Sequence, residues 1–170
     1  MTYQLNAIRP YLYITAYSSL VEKSVDELGI THVIDATNNQ ISKDGRLAEI
    51  RCMQVDVDDL VDVDMRAFFE STADFIQEAR DQGGKCLVFC NVGMSRSATL
   101  CIMYLVIHEN LTLREAYSQV EKSRRIIAPN LGFWRQMIGY EKEKNDGNST
   151  VEMIENAQGF MVPDVYLKKT

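Results

Sequence analysis

A thiol, two hydroxyls and a guanidinium are gathered in one short stretch, Cys90-Asn91-Val92-Gly93-Met94-Ser95-Arg96-Ser97. Ahead of it, Lys85-Cys86-Leu87-Val88-Phe89 is an apolar run that suits a strand buried on both faces. Behind it, residues 96–109 are apolar nearly all round and read as a central helix. A loop between such a strand and such a helix can curl its N–H groups, from Asn91 through Val92, Gly93, Met94 and Ser95 to Arg96, around a tetrahedral anion. The helix start adds unpaired donors and the positive end of its dipole. Gly93 supplies a positive-φ backbone for the tight turn. Arg96, six residues after Cys90, can return its fork over the anion and hold two oxygens at once. The same surroundings favour the thiolate, which makes Cys90 a nucleophile toward a bound phosphate. Ser97 stands where its hydroxyl could bond the sulfur and help it leave. An isolated cysteine is more often a small buried hydrophobe, and Cys52, Cys86 and Cys101 read that way. No Gly-Lys-Ser/Thr is present, so this is not a Walker nucleotide loop.

A phosphate ester also needs a proton for its departing oxygen. Five aspartates, Asp56, Asp58, Asp59, Asp62 and Asp64, lie about thirty residues upstream of Cys90. Asp56-Val57-Asp58 after an apolar strand has a second reading, the aspartyl nucleophile of magnesium-dependent phosphatases. Leu60 stands where that pattern wants Thr or Val. An EF-hand fails because Val61 replaces its glycine. The four cysteines form no zinc spacing.

Positioning these groups requires a framework. Residues 11–15 read as a short strand, and Ser18–Leu28 as a helix with Ser19 and Glu22 as a capping box. Residues 32–36 and 52–57 read as strands, with a polar loop at 38–44. Met65, Phe68, Phe69, Thr72, Ala73, Ile76 and Ala79 share one helical face; Asp64 caps that helix and Gly83-Gly84 ends it. Thr112 and Glu115 cap a helix running to about Ser123, and Pro129-Asn130 starts another with Leu131, Trp134 and Ile138 inward. Strands alternating with helices imply an α/β fold, a single domain with a central, mainly parallel sheet of four to five strands flanked by helices. Residues 145–150 are a polar linker. The remainder to Thr170 is apolar enough to pack back on the domain.

The chain has 170 residues, 46% of them hydrophobic, with a net charge of −6. At this length one domain is the default, and it buries roughly 70% of its unfolded surface without disulfide or metal. The apolar fraction excludes intrinsic disorder. The acidic balance argues against nucleic acid as a partner. No apolar run approaches a membrane span, and Met1-Thr2-Tyr3-Gln4 carries no secretion signal. The cysteines are then reduced thiols of the cytoplasm or nucleus, and the Asn110 and Asn148 glycosylation triplets are chance matches.

Cys-(five residues)-Arg resembles the signature of the cysteine-dependent protein tyrosine phosphatases. The fuller Cys-Asn-Val-Gly-Met-Ser-Arg-Ser-Ala resembles their dual-specificity branch. Ile8-Arg-Pro-Tyr-Leu-Tyr-Ile14 resembles that branch's opening strand, and Ile127-Ala-Pro-Asn-Leu-Gly-Phe-Trp134 its Pro-Asn-x-Gly-Phe helix start. The tail, with Ser149-Thr-Val-Glu-Met-Ile154 and Val162-Pro-Asp-Val-Tyr166, is similar to a subset of small atypical members. The resemblance implies a catalytic domain over 1–146, a C-terminal extension over 147–170 packing on it, and hydrolysis of phosphotyrosine and phosphoserine/threonine through a phosphocysteine. It implies phosphorylated proteins as partners, and neither cofactor nor metal; it leaves the oligomeric state open. Catalysis falls to Cys90, Arg96, Ser97 and a general acid. The family's acid lies nine residues before an aromatic pair, and counting back from Phe68-Phe69 selects Asp59, with Asp58 in reserve. Binding falls to residues 91–96. No counterpart of the tyrosine-recognition loop is present, which implies a shallow cleft. One departure is Phe89, where the family usually carries His. The missing imidazole implies less thiolate and slower turnover, and motivates an alternative: a catalytically weak or inactive phosphoprotein-binding module.

Overall fold

The computed structural model describes residues 5–20, 22–38 and 46–167. Five strands form the main sheet: β1 (Asn6–Arg9), β2 (Leu12–Ala16), β3 (His32–Asp35), β4 (Arg51–Gln54) and β5 (Cys86–Cys90). Their spatial order is β1-β2-β5-β3-β4. Only β1 runs antiparallel to its neighbour; β2, β5, β3 and β4 are mutually parallel. Thus β5 lies at the centre, and the C-terminal ends of the parallel strands open on one side, where α/β folds place their sites.

Every residue of β5 is buried, and the strand's two-residue period divides it between two cores. Cys86, Val88 and Cys90 face the larger core, covered by α3 (Phe69–Asp81), α4 (Arg96–Glu109), α5 (Leu113–Ser123) and α6 (Leu131–Lys144). Leu87 and Phe89 face the smaller core, with Val25 of α1 (Glu22–Leu28) and Ile50, which follows α2 (Arg46–Glu49). Helix α4 is the central helix, with every side chain from Arg96 to Leu105 buried. Its dispersed apolar surface fits a helix covered on all sides.

Several elements differ from the sequence-based expectation. The opening strand is a hairpin, with β1 preceding the expected β2 and Pro10-Tyr11 between them. Helix α1 begins only at Glu22, after a 3-10 turn at Tyr17–Ser19 that contains the expected cap Ser19. Strand β4 covers Arg51–Gln54 rather than 52–57. Helix α3 starts at Phe69, after a 3-10 turn at Arg66–Phe68. There, Gln136 Oε1 accepts from the N–H groups of both Met65 and Arg66 at 2.8 Å, so α6 satisfies donors that a helix would otherwise leave open. Asp64 accepts from Ala67 N at 3.2 Å, at the start of that turn. The expected loop 38–44 lies outside the described residues except for Asn38. Leu131 is half-buried, and Phe133, Trp134, Met137 and Ile138 carry the inward face of α6. Thr112 and Asn130 cap α5 and α6 through the N–H groups of Glu115 and Phe133.

Beyond α6, a second small sheet pairs β6 (Met153–Glu155) with β7 (Met161–Pro163). Glu141 ties this segment down. Its buried carboxylate accepts from Leu113 N, Ser149 Oγ and Thr150 N at 2.6–2.7 Å. These donors hold the Glu141 carboxyl below the usual range although burial pushes the other way. Tyr166 Oη accepts from Trp134 Nε1 at 2.8 Å and donates to Pro129 O at 3.0 Å.

Candidate active site

Cys90 closes β5 and is buried, with its sulfur 3.1 Å from Ser97 Oγ and accepting from Gly93 N at 3.2 Å. Three consecutive peptide units after it are gripped from outside. Arg124 Nη2 donates to Val92 O at 3.1 Å and its Nε to Gly93 O at 2.8 Å, while Ala128 N donates to Met94 O at 2.8 Å. In a trans peptide the N–H points opposite to the C=O. Holding those carbonyls outward therefore turns the N–H groups of Gly93, Met94 and Ser95 away from Arg124 and Ala128, as the Gly93 bond to sulfur shows. Gly93 sits at φ +73°, and a Cβ there would lie 2.8 Å from Thr15 O and 2.9 Å from Arg124 Nη2. Only glycine fits both the dihedral and the space.

Arg96 opens α4, is 94% buried by its 6% exposure, and donates from Nη1 to Val57 O at 2.8 Å. Its Nε is buried with no hydrogen-bond partner among the described residues. A buried guanidinium with an open donor is suited to an anion. Ser95 is buried and its hydroxyl accepts from Asn130 N at 2.9 Å; Ser97 is wholly buried. Asn91 and Val92 are exposed, and Met94 is half-buried.

The five aspartates are all exposed, yet their partners differ. Asp59 Oδ1 accepts from Asn130 Nδ2 at 2.8 Å. Asp58 Oδ1 accepts instead from the Asn38 amide. Asn130 thus touches both loops: its backbone N–H meets Ser95 and its side chain meets Asp59, while its Oδ1 caps α6. Gly132 completes the clasp, since a Cβ there would fall 1.9 Å from Val61 O. Arg124, Asn130 and Gly132 were not singled out by sequence for these contacts. The stretch from Arg114 to Arg135, five Lys/Arg against two Glu, reads as an ordinary helix exterior or else as a surface for an acidic partner, but Arg124 is turned inward. Burial draws its guanidinium below the usual arginine range, and the nearby Cys90 sulfur opposes that shift. Its signal in the sequence was slight, a second arginine close to the Pro129-Asn130 motif.

Phe89 points to the opposite face from Cys90. It is 1% exposed and stacks on Tyr17, ring centroids 6.2 Å apart. The described residues hold no cluster of three or more His, Cys, Asp or Glu arranged to bind a metal.

Residues 12–143 match the sequence family described as "Dual specificity phosphatase, catalytic domain". The chain belongs to the dual specificity phosphatase family. It is 42% identical over 142 residues to mouse dual specificity protein phosphatase 14, covering 84% of this chain and 70% of that protein. The crystal structure of human DUSP28 superposes with a TM-score of 0.77 at 30% identity, covering 82% of this chain and 94% of that one. A mouse putative dual specificity phosphatase, crystallised with zinc tungstate, gives 0.79 at 29% identity, covering 86% and 91%. The chain is accordingly a protein phosphatase, a phosphoric monoester hydrolase of the small atypical dual-specificity kind.

Proposed function

We propose that this phosphatase hydrolyses phosphotyrosine and phosphoserine/threonine on proteins in two displacements at Cys90. In the first, the sulfur forms a bond to phosphorus and the ester P–O bond breaks; the departing oxygen takes its proton from the Asp59 carboxyl. In the second, Asp59 as carboxylate takes a proton from water, the water oxygen bonds phosphorus, and the S–P bond breaks. The Ser97 hydroxyl donates to the leaving sulfur. The N–H groups of residues 91–96 and the Arg96 fork hold the equatorial oxygens through both transition states, where such fixed donors count most.

The observation that carries this reading is the set of donors around one sulfur: peptide units gripped from behind by Arg124 and Ala128, and the open, buried Arg96 Nε. Asp59 is preferred to Asp58 because Asn130 joins it to the segment that holds Ser95. Residues 1–146 form the catalytic domain and 147–170 an extension that packs on it, supported by the Glu141 and Tyr166 bonds. Free thiols suit a reducing compartment, the cytoplasm or the nucleus. No described helix is long and apolar enough to cross a membrane.

The test is steady-state hydrolysis of p-nitrophenyl phosphate and of phosphotyrosine and phosphoserine peptides. Cys90→Ser is expected to abolish all three activities, and Asp59→Ala to reduce peptide turnover by roughly 10²–10⁴-fold. A folded native chain that binds phosphopeptides tightly and turns over none of these substrates would instead be a binding module.

A further inference from the structure

Outside the C-terminal extension, the described residues expose large apolar side chains at five positions: Tyr17, Leu60, Val61, Val92 and Ile126. All five lie on segments that reach the site. Val92 belongs to the loop after Cys90. Ile126 lies two residues beyond Arg124, which grips that loop. Leu60 follows Asp59, and the Val61 backbone rests against Gly132. Tyr17 follows Ala16, which pairs in register with Cys90, and stacks on Phe89. Elsewhere among the described residues of the domain, large apolar side chains are buried or half-buried. Exposed apolar groups gathered around one opening mark a surface that a partner covers.

The charge of that rim narrows the partner. Between residues 56 and 64 stand five exposed aspartates and no Lys or Arg, in a chain of net charge −6, while Arg125 beside Ile126 on the other side is paired with Glu121 at 3.1 Å. Such a wall repels an anionic lipid surface and acidic peptide flanks, and complements Lys or Arg. The buried Arg96 Nε, without a partner, supplies the anchor for a phosphate beneath this rim.

We propose that the rim reads the sequence around the phosphoresidue: it selects protein segments with a large apolar residue beside that residue and Lys or Arg, rather than Asp or Glu, in the flank. This rests on the phosphatase reading given above and adds the class of protein substrate.

The test uses synthetic phosphotyrosine peptides of equal length, with flanks of Leu plus Lys, Ala plus Lys, and Leu plus Glu. The first is expected to exceed the third in kcat/KM by about tenfold at low salt, with the gap closing near 0.5 M salt. It is expected to exceed the second by a few-fold. Asp62→Lys should compress the Lys-over-Glu ratio, and Leu60→Ser the Leu-over-Ala ratio. The same ranking should hold in the affinities of Cys90→Ser for the peptides, read by fluorescence anisotropy without turnover. Equal values across the peptides, a preference for the acidic flank, or retention on phosphatidylserine vesicles would overturn the proposal. Loss of p-nitrophenyl phosphate turnover in the native chain, with the peptide ranking intact, would overturn the catalytic reading and leave the rim standing.

Discussion

The two loops that meet at the site are built in opposite ways. Residues 90–96 are held from within the fold: Cys90, Gly93, Ser95 and Arg96 are buried, and the next residues form the core helix α4. Residues 56–64 are largely exposed and are held at points, by Asn130 on Asp59, Gly132 against Val61, and Gln136 Nε2 on Val63 O at 2.8 Å. One loop is buried and gripped along three successive peptide units, the other is exposed and held at separate points. The proposed nucleophile and anion donors therefore sit on a buried loop, while the position of Asp59, the proposed proton donor, depends on the segment that opens α6. The segment 128–132 joins the two, with Ala128 on Met94, Asn130 on Ser95 and Asp59, and Gly132 under Val61.

This contrast can be broken from either side. Arg124→Ala removes the external grip on the nucleophile loop and leaves two carbonyls without their donor. Because the proposed phosphate cradle serves every substrate, kcat/KM should fall by about a hundredfold for p-nitrophenyl phosphate and for phosphoserine peptide alike. Gly132→Ala pushes the acid loop off α6 instead. A misplaced acid matters most where the leaving oxygen is basic, so phosphoserine turnover should fall by about a hundredfold and p-nitrophenyl phosphate turnover by under about tenfold. Equal losses from Gly132→Ala on both substrates would show that the loops are not separable.

A smaller effect sharpens the nucleophile side. Phe89→His restores an imidazole on the face opposite Cys90, at the cost of the stack with Tyr17. Inactivation by iodoacetate should then shift to lower pH; an unchanged profile would show that the residue at this position does not tune the sulfur.

The smallest catalytic effect should come from Glu141→Gln, remote from both loops. Its carboxylate loses charge-assisted bonds to Leu113, Ser149 and Thr150, and stability should drop by about 1–3 kcal/mol with kcat little changed. The native carboxyl is held below its ordinary value of 4.5. Its stabilisation is therefore present above about pH 4.5 and is lost as pH falls through the lower folded value. Acid unfolding followed by circular dichroism should show this component of the pH dependence below pH 4.5 in the native chain and not in Glu141→Gln.

Legibility followed the same divide. The segment from Cys86 to Glu109 was readable because strand, loop and helix each carry their pattern locally, and helix α4 spans the expected residues 96–109. The choice of Asp59 as the proposed acid came only through family spacing, since five chemically equal aspartates differ in partners that lie far along the chain. Arg124 left only a slight signal for that reason too: a helix-end arginine looks solvated until the fold brings Val92 and Gly93 beneath it. Strand β1, Asn6-Ala-Ile-Arg9, lacks the alternation that marks a strand and exists through its pairing with β2. The late start of α3 depends on Gln136, seventy residues away, for which local periodicity holds no information.

Acid-quench trapping during turnover bears most directly on Cys90 as the atom that accepts the phosphoryl group. In Ser97→Ala, the sulfur loses the hydroxyl 3.1 Å away that is proposed to assist its departure, and the covalent intermediate should accumulate. Mass spectrometry of the quenched, digested protein should find phosphate on the peptide carrying Cys90, and none in Cys90→Ser. Turnover with no phosphate on that cysteine, or turnover that survives Cys90→Ser, would contradict the account.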